Sequence, residues 1–492
     1  MEQGASGHSG HRPPVSFGVS VMTGKRPNKA GAHGKGSKQP PEQQAVYFLS
    51  LSLENVRCFG PKQTLDLSDG KGRPAQWTIL LGENGTGKTT VLQSLLAFEN
   101  PPPFDPRVTQ PPWVMEPAAT ARLPGDSSRW NPHYLDYLFR RTGSQTPPQL
   151  AVSLMSGQGI NGVTGAAYER KWYHLGDKVL SEPTTQFVPI NELALPTCYA
   201  YGAARRLGPT SLSRPTTDDA AASLFSEEAT LRNVEEWLLL LDYSTSKSSD
   251  RRQRQRLQQV TELLIEILPD VQGIRFNPSS GVFPKPCVEF HTPYGWVPLR
   301  SLGYGYQTLI AWMVDFASRM VERYPDSADP LAEPAVVLVD EIDLHLHPQW
   351  QRKLIGHLTQ HFPNTQFIVT AHSPLVVQAA AGANIALLRR EGDHVVIDND
   401  LKTIRGWRID QIYTSDLFGL ESARPPELDA PLKRRVEILS KSKLSEADKR
   451  ELKELEAQIG DLPVGETQEE IRTMQLLRES LDLLKEARKQ AQ

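Results

Sequence analysis

The sequence predicts an α/β fold with a mixed, largely parallel sheet, and three short apolar segments carry that prediction. The segments WTILL from Trp77, AVVLVDE from Ala335 and TQFIVT from Thr365 are continuous and apolar, as strands covered on both faces are. A helical pattern begins at Pro348 and separates the second segment from the third. A strand, a helix and a strand within about 35 residues indicate a crossover between parallel neighbours.

The composition of the 492-residue chain is that of a globular protein long enough for about two or three domains. Apolar residues make up 39% and charged residues 23%, and no apolar run reaches the length of about 18 residues that predicts a membrane span. The first residues lack the apolar core of a secretory signal, so we expect a cytoplasmic protein without a membrane partner. Three scattered cysteines argue against a disulfide framework or a zinc ribbon, and a net charge of −3 gives no general attraction to nucleic acid.

Changes in composition divide the chain into three predicted regions. Residues 1–45 are rich in glycine, proline and lysine, which predicts a disordered tail. Residues 46–410 hold the apolar strands and the motifs, and they include a charged, helical insertion at about 220–270. Residues 411–492 predict a helical region that serves assembly or partner binding.

Two apolar stripes in the last region predict a C-terminal helical hairpin. Each stripe follows a helix-start pattern of the S/T-x-x-D/E type, the first at Ser445 and the second at Thr467, and GDLPVGE separates them. The alternative is that these helices pack onto the α/β region. The stripes consist of Leu452, Leu455, Ile459, Ile471, Met474, Leu477, Leu481 and Leu484.

The strongest motif is GENGTGKTT, which follows the first apolar strand and precedes a predicted helix. It fits G-x-x-x-x-G-K-[ST], a P-loop in which glycines let main-chain N–H groups surround a phosphate. The helix N-terminus adds positive charge, Lys88 reaches the β and γ oxygens, and Thr89 offers a hydroxyl to Mg²⁺. The sequence therefore predicts a site for ATP and Mg²⁺. Its predicted residues are Gly82, Glu83, Asn84, Gly85, Thr86, Gly87, Lys88, Thr89 and Thr90.

Two carboxylates follow the second apolar strand. Asp340 is placed to hold Mg²⁺ together with Thr89, and Glu341 is placed to polarise an attacking water. A carboxylate pair at a strand end alternatively caps a helix, but the P-loop upstream favours the hydrolytic interpretation. His372 ends the third strand, where an imidazole is predicted to contact the γ-phosphate, although a lone histidine is more often structural. Lys88, Glu341 and His372 are thus the predicted catalytic set.

Together these parts resemble the ABC-type ATPase head of SMC-like and RecF-like proteins. In that class a signature turn, L-S-x-G-x-Q, covers the γ-phosphate bound by the opposite protomer, and LGYGYQ at 302–307 occupies its place. The resemblance implies a P-loop NTPase with an ABC-type head and a homodimer, or a higher oligomer, that closes around nucleotide. It assigns Gly303, Gly305 and Gln307 to the partner's nucleotide, and Asp343 to a bridge between the two heads. Because Gly303 replaces the usual serine, only main-chain donors remain there.

Two further pairs of polar residues are candidates for other chemistry. His345 and His347 suggest a metal site, but their spacing of two, the lack of a third ligand and the following proline favour a loop at the dimer seam. Asp398 and Asp400 are the candidate acidic pair of an appended nuclease domain, as the overcoming-lysogenization-defect nucleases have. They follow the turn of an apparent hairpin without an acidic partner before them, so we predict no nuclease within the chain.

At a finer level the segments LGYGYQTLIAWMVDF, DEIDLHLHPQWQR and IRGWRIDQIYTSDLFGLESARP resemble the ATPases of Septu-type and retron-associated antiphage systems. That resemblance implies an ATPase that controls a separately encoded HNH nuclease. A RecF-like DNA-repair ATPase is the main alternative, and a transporter motor is a third. The run RRQRQR at 251–256 leaves direct DNA contact open, although charge runs on helices are usually solvated faces.

Overall fold

The computed structural model describes residues 45–98, 141–144, 146, 148–157, 159–163, 167–175, 178–183, 195–208, 220–247, 250–277, 285–380, 382–399, 406–420, 422–441 and 444–459. Apart from Ala45, the predicted tail lies outside the described residues. So does the second stripe of the predicted C-terminal hairpin, whose placement therefore stays a prediction.

The elements are numbered along the chain. The strands are β1 (Ala45–Glu54), β2 (Gln63–Asp66), β3 (Trp77–Gly82), β4 (Gln149–Gly157), β5 (Tyr168–Leu175), β6 (Lys178–Pro183), β7 (Cys198–Tyr201), β8 (Gly273–Asn277), β9 (Cys287–Thr292), β10 (Gly295–Pro298), β11 (Ala335–Val339), β12 (Thr365–Thr370), β13 (Asn384–Glu391) and β14 (His394–Asp398). The α-helices are α1 (Lys88–Leu96), α2 (Ala222–Phe225), α3 (Val234–Lys247), α4 (Arg251–Ile267), α5 (Tyr304–Arg323), α6 (Pro348–His361), α7 (Pro374–Ala379), α8 (Ile409–Tyr413), α9 (Asp429–Leu439) and α10 (Glu446–Ile459).

The central sheet has the strand order β14-β13-β3-β12-β11-β7. Among the described strands all pairs of this sheet are parallel except the edge pair of β13 and β14, which is antiparallel. This arrangement confirms the predicted mixed, largely parallel sheet. Val339 lies opposite both Val369 and Tyr201. The carboxyl ends of the three adjacent strands β7, β11 and β12 therefore lie side by side at one edge of the sheet. In open α/β sheets this edge, at the carboxyl ends of the strands, is where ligands bind.

A second sheet, in the order β2-β1-β4-β5-β6, is antiparallel throughout. Helix α1 packs in the apolar cluster shared by this sheet and the central one. Val91 and Leu95 of the helix are fully buried there with Leu51 and Leu80. Strand β1, at the start of the folded region, therefore belongs to a separate layer, which covers the helix that follows the P-loop.

Helix α5 lies in the core on the other side of the central sheet. Fourteen of its twenty residues are buried, so the helix contacts the core over most of its circumference and not along a narrow stripe. Its Trp312 ring lies 5.6 Å from that of Tyr201 on β7. A third sheet, β10-β9-β8, stands before the helix and leads the chain to its N-terminus. The predicted signature turn thus lies between this third sheet, which precedes it, and the buried helix α5, which follows it.

Helices α3 and α4 occupy the region where the sequence predicts a helical insertion. The arginine run at the start of α4 does not stand entirely in solvent. Arg252 forms an ion pair of 3.3 Å with Asp326, and Arg256 donates to the carbonyl oxygen of Pro325. Two of its four arginines therefore hold the loop after α5, which weakens the case for a DNA-binding face.

The C-terminal region contains a pair of helices, α9 and α10, whose pairing the sequence did not predict. Arg434 of α9 pairs with Glu451 of α10 at 2.7 Å, so α10 has α9 as its partner among the described residues. The predicted helix start is present, because the Ser445 Oγ accepts from the Asp448 N–H at 3.1 Å and Asp448 Oδ2 accepts from the Ser445 N–H at 2.8 Å. Within the described part of the chain no helix is long and apolar enough to cross a bilayer.

Candidate functional site

The P-loop joins β3 to α1 and has the backbone that phosphate binding requires. Gly82, Gly85 and Gly87 all have positive φ, at 146°, 79° and 84°. At Gly87 a side chain is excluded twice, because a β-carbon there would also overlap the Sγ of Cys58. The half-buried Cys58 and its neighbour Phe59 thus pack against the loop from the side of the antiparallel sheet. No sequence pattern predicted this contact.

Lys88 is folded back over its own loop. Its Nζ donates to the carbonyl oxygens of Gly82 at 2.8 Å and Glu83 at 2.9 Å. Burial lowers the pKa of this ammonium, while the carboxylates of Asp340 and Glu341 act in the opposite direction. A cation held only by neutral carbonyls is suited to exchange them for anionic phosphate oxygens. Thr86 closes the same loop by donating to the Glu83 carbonyl at 2.8 Å.

A chain of hydrogen bonds connects the P-loop to the two neighbouring strands. Thr89 Oγ1 donates to Asp340 Oδ2 at 2.6 Å, and Thr370 Oγ1 donates to Asp340 Oδ1 at 2.6 Å. The Thr370 oxygen in turn accepts from the main-chain N–H of Glu341 at 2.7 Å. The structure thereby brings Thr89 to the consecutive residues Asp340 and Glu341, which lie about 250 positions further along the chain, and it adds Thr370. In the sequence Thr370 is recognisable only as the threonine that ends the third apolar segment.

The predicted general base has an unusual backbone. Glu341 has φ of 50°, a left-handed conformation that costs a residue with a β-carbon about 1–3 kcal/mol and is held only by its surroundings. Arg205 contributes to that hold, because its Nη2 donates to the Glu341 carbonyl at 2.6 Å and to the Asp340 carbonyl. Burial lowers the pKa of Arg205 to about 10, and it remains charged at neutral pH. This arginine is absent from the predicted site, and in the sequence it is visible only as a charged residue shortly after the apolar strand CYAY.

Asp343 and His372 meet in the same corner. Asp343 Oδ2 accepts from the main-chain N–H of His372 at 3.0 Å, while its Oδ1 is buried without a hydrogen-bond partner among the described residues. The His372 side chain itself is exposed. The Asp343 carboxylate is thus directed into its own chain and orients the His372 backbone. The bridge to a second head that the resemblance implies for Asp343 stays a prediction.

The signature turn forms the exposed N-terminus of α5. Gly303 is the N-cap with no side-chain cap, so the first N–H groups of the helix lack intrahelical acceptors. Gln307 Nε2 donates to the carbonyls of Leu302 at 2.7 Å and Arg300 at 3.1 Å, so its amide closes its own turn. Gly305 meets the loop after β11, where a β-carbon would overlap the carbonyl oxygen of His345.

The two histidines of DLHLHP make local contacts. His345 contacts the ring of Tyr304 edge-on, with centroids 4.8 Å apart. His347 is the N-cap of α6, and its Nδ1 accepts from the Gln349 N–H at 3.3 Å. Among the described residues no group of three metal-ligating side chains occurs. Asp398 ends the β13–β14 hairpin and is hydrogen-bonded to Arg389 at 3.4 Å, and Asp400 lies outside the described residues.

The residues at this edge of the sheet fit Mg²⁺ and a triphosphate. Thr89 and Asp340 offer a hydroxyl and a carboxylate, the hard oxygen ligands that Mg²⁺ takes beside phosphate and water. The positive φ angles of Gly82, Gly85 and Gly87 let the main chain of the loop turn around a phosphate, and Lys88 is hydrogen-bonded to the same loop. The remaining members of the predicted P-loop set line its rim or its base: Glu83 and Asn84 are exposed, and Thr90 is buried below.

A family model described as "AAA domain, putative AbiEii toxin, Type IV TA system" (AAA_21) matches residues 78–378. This match runs from the P-loop strand through His372 and covers more than half of the chain. The chain belongs to this family. A second AAA-domain model matches residues 50–98. The family assignment agrees with the strand order and confirms the ABC-type, P-loop NTPase fold expected from the motifs.

Relatives of this AAA-domain protein occur in antiphage systems. The Septu protein PtuA of Bacillus mycoides is 25% identical over 84% of this chain, and the chain spans about half, 51%, of its length. The retron Ec83 probable ATPase of Escherichia coli is 37% identical over 26% of this chain and is covered over 22% of its own length. These relatives confirm the predicted resemblance to Septu-type and retron-associated ATPases.

A solved SMC head bound to the C-winged helix domain of ScpA aligns with 72% of this chain and 97% of that structure. Its sequence identity is 13% and its TM-score is 0.40. That likeness is too loose to bear on function.

Proposed function

We propose that this chain hydrolyses ATP as a head that pairs with a second copy of itself around nucleotide, and that it thereby controls a separately encoded HNH nuclease in antiphage defence. The observation that carries the proposal is the hydrogen-bond chain from Thr89 through Asp340 and Thr370 to Glu341. It connects a P-loop to a carboxylate suited to proton transfer. A merely structural carboxylate would not need to be tied to the P-loop hydroxyl.

In the proposed reaction each residue has a separate task. Lys88 releases its two carbonyl acceptors and binds phosphate oxygens, while Thr89 and Asp340 hold Mg²⁺. The bound metal ion supplies positive charge that neutralises the phosphates. Glu341 orients a water and accepts its proton while the water oxygen bonds to the γ-phosphorus and the bond to the ADP oxygen breaks, which releases ADP and phosphate. His372 is placed to contact the terminal phosphate.

The exposed N-terminus of α5 supports the pairing of two heads. Its first N–H groups have no acceptor within the helix, and with the helix dipole they are a site for an anion. The P-loop of the same chain is separate from this turn in sequence and element. A second copy would bring this turn to the first copy's nucleotide and exclude water there. The Septu and retron relatives support the defence role, and the family resemblance supports a nuclease partner encoded nearby.

Glu341→Gln tests the hydrolytic part of the proposal. The amide keeps the size of the side chain but cannot accept a proton, so phosphate release should fall by at least about 100-fold. ATP binding should persist, and ATP should shift the variant to a dimer in sedimentation velocity. Glu446→Gln, on the exposed side of α10, is the matched control and should behave as wild type.

Three outcomes would contradict the proposal. Full activity in Glu341→Gln would show that Glu341 is not the general base. An oligomeric state that does not change with ATP would show that two heads do not pair around nucleotide. Tight binding of duplex DNA by the chain alone, with a steep dependence on salt, would favour the DNA-repair alternative. Co-expression with the neighbouring reading frames, followed by purification with and without ATP, identifies the nuclease partner or excludes it.

A further inference from the structure

Arg205 stands at the same sheet edge as the candidate hydrolytic carboxylates. It follows β7, the parallel neighbour of β11. The pairing continues one residue past the strands, because the Asp340 N–H donates to the Tyr201 carbonyl at 2.8 Å. The loop that leaves β7 therefore starts beside the turn that carries Glu341.

That loop has little freedom. A β-carbon on Gly202 would overlap the carbonyl oxygen of Ser223, and the Gly202 N–H donates to Ser223 Oγ at 3.2 Å. Arg205 itself has φ of 29° and is only 3% exposed. The backbone thus fixes where its guanidinium emerges, and the side chain fills a space enclosed by protein.

All hydrogen bonds of the Arg205 guanidinium in the described part of the chain go to main-chain carbonyls. Nε donates to Gly202 at 3.0 Å, and Nη2 donates to Glu341 at 2.6 Å and to Asp340. The carboxylates of Asp340, Asp343 and Glu341 stabilise its charge electrostatically, as a buried cation requires. Its directional contacts nevertheless go to the main chain, so the guanidinium is suited to fix the backbone to which it is bonded. The two carbonyls on Nη2 belong to the residues that hold Mg²⁺ and activate water in the proposed function.

We propose that Arg205 is a positioning residue for ATP hydrolysis, which holds the left-handed turn at Glu341 so that the carboxylate faces the attacking water. The role rests on the proposed function, because it acts through Glu341. Thr370 holds the N–H side of the same residue, and Arg205 holds its carbonyl side. If either of these hydrogen bonds is removed, the strained turn relaxes and the Glu341 carboxylate moves. A displacement of about 1 Å in a catalytic group costs on the order of 100-fold in rate.

The test compares Arg205→Gln and Arg205→Lys with Arg206→Gln, whose wild-type side chain is exposed on the adjacent residue. In single-turnover experiments both Arg205 variants should lose about 100-fold in the hydrolytic rate constant, with unchanged affinity for a non-hydrolysable ATP analogue. Arg205→Lys keeps the positive charge, so the measurement remains possible if Arg205→Gln does not fold. Arg206→Gln should behave as wild type.

A double-mutant cycle separates positioning from a general loss of structure. In the Glu341→Gln background the Arg205 substitutions should change the residual rate little, because residues that act as a unit are not additive. Equal losses in both backgrounds, a parallel loss of analogue affinity, or a wild-type rate in Arg205→Lys would each overturn the positioning role. If the wild-type chain itself hydrolyses no ATP, the proposed function fails first and the positioning role fails with it.

Discussion

The hydroxyl of Thr370 donates to Oδ1 of Asp340 at 2.6 Å. The same oxygen accepts from the N–H of Glu341 at 2.7 Å, so one side chain on β12 holds two consecutive residues at the end of β11. Parallel pairing of the two strands makes this contact possible, because it brings their carboxyl ends side by side. The carboxylates assigned to hydrolysis are therefore oriented by a neighbouring strand.

Thr370→Val should lower both stability and hydrolysis. Valine keeps the shape of the side chain but leaves a buried N–H and a buried carboxylate oxygen without this partner, and each such loss costs about 1–3 kcal/mol. We expect the free energy of unfolding in urea to fall by about 2–4 kcal/mol, together with a reduced rate of phosphate release. Thr365→Val is the matched control on the same strand, because Thr365 is fully buried and its hydroxyl has no partner among the described residues. A similar loss of stability in both variants would contradict the assignment.

Thr89→Ala should weaken the dependence of nucleotide binding on Mg²⁺. The substitution removes the hydroxyl that lies 2.6 Å from Asp340 Oδ2 and with it one ligand of the proposed metal site. We expect the half-saturating Mg²⁺ concentration, measured with a fluorescent ATP analogue, to rise by at least about tenfold. Thr89→Ser retains the hydroxyl and should retain the wild-type Mg²⁺ dependence. A serine variant as weak as the alanine variant would show that the methyl group, rather than the hydroxyl, matters.

Gly305→Ala should separate the signature turn from the loop after β11. The added carbon would overlap the His345 carbonyl, and overpacking of this kind costs about 1–3 kcal/mol. We expect a lower melting temperature and weaker ATP-dependent self-association. Gly356→Ala, on the exposed face of α6, is the control, because a carbon there meets nothing within 4 Å. Normal self-association of the Gly305 variant would show that this contact does not position the turn.

Gly303→Ser should strengthen the pairing of two heads. The residue is the N-cap of α5 with φ of −58° and ψ of 150°, a conformation open to serine, and the gain in helix stability is a few tenths of a kcal/mol. The larger effect should be on ATP-dependent dimerisation, because the hydroxyl adds a donor that the resemblance predicts for the partner's phosphate. Sedimentation velocity across ATP concentrations measures it. A variant that gains stability without any change in dimerisation would show that this turn does not contact the nucleotide bound by a second copy.

Much of the fold was predictable because its signals are local. Continuous apolar runs identified β3, β11 and β12, Pro348 marked the start of α6, and the spacing of glycines identified the P-loop. The proline and glycine positions act on the backbone next to them, and the three strands show continuous apolar runs because they are almost completely buried. The antiparallel sheet was less predictable, because the alternation in β1 predicts a strand without saying which partner it has. The pairing of α9 with α10 was missed for the same reason, since exposed ion pairs leave little apolar pattern.

By itself the sequence determined the α/β class, the P-loop and the residues expected to hold ATP and Mg²⁺, since short motifs and periodicity encode them. Only the tertiary structure decided that Thr370 and Arg205 hold the turn at Glu341, and that Gly305 is small because His345 lies against it. These relationships join residues separated by tens or hundreds of positions. They depend on strand order and on atomic distances at one edge of the sheet, which no local pattern contains.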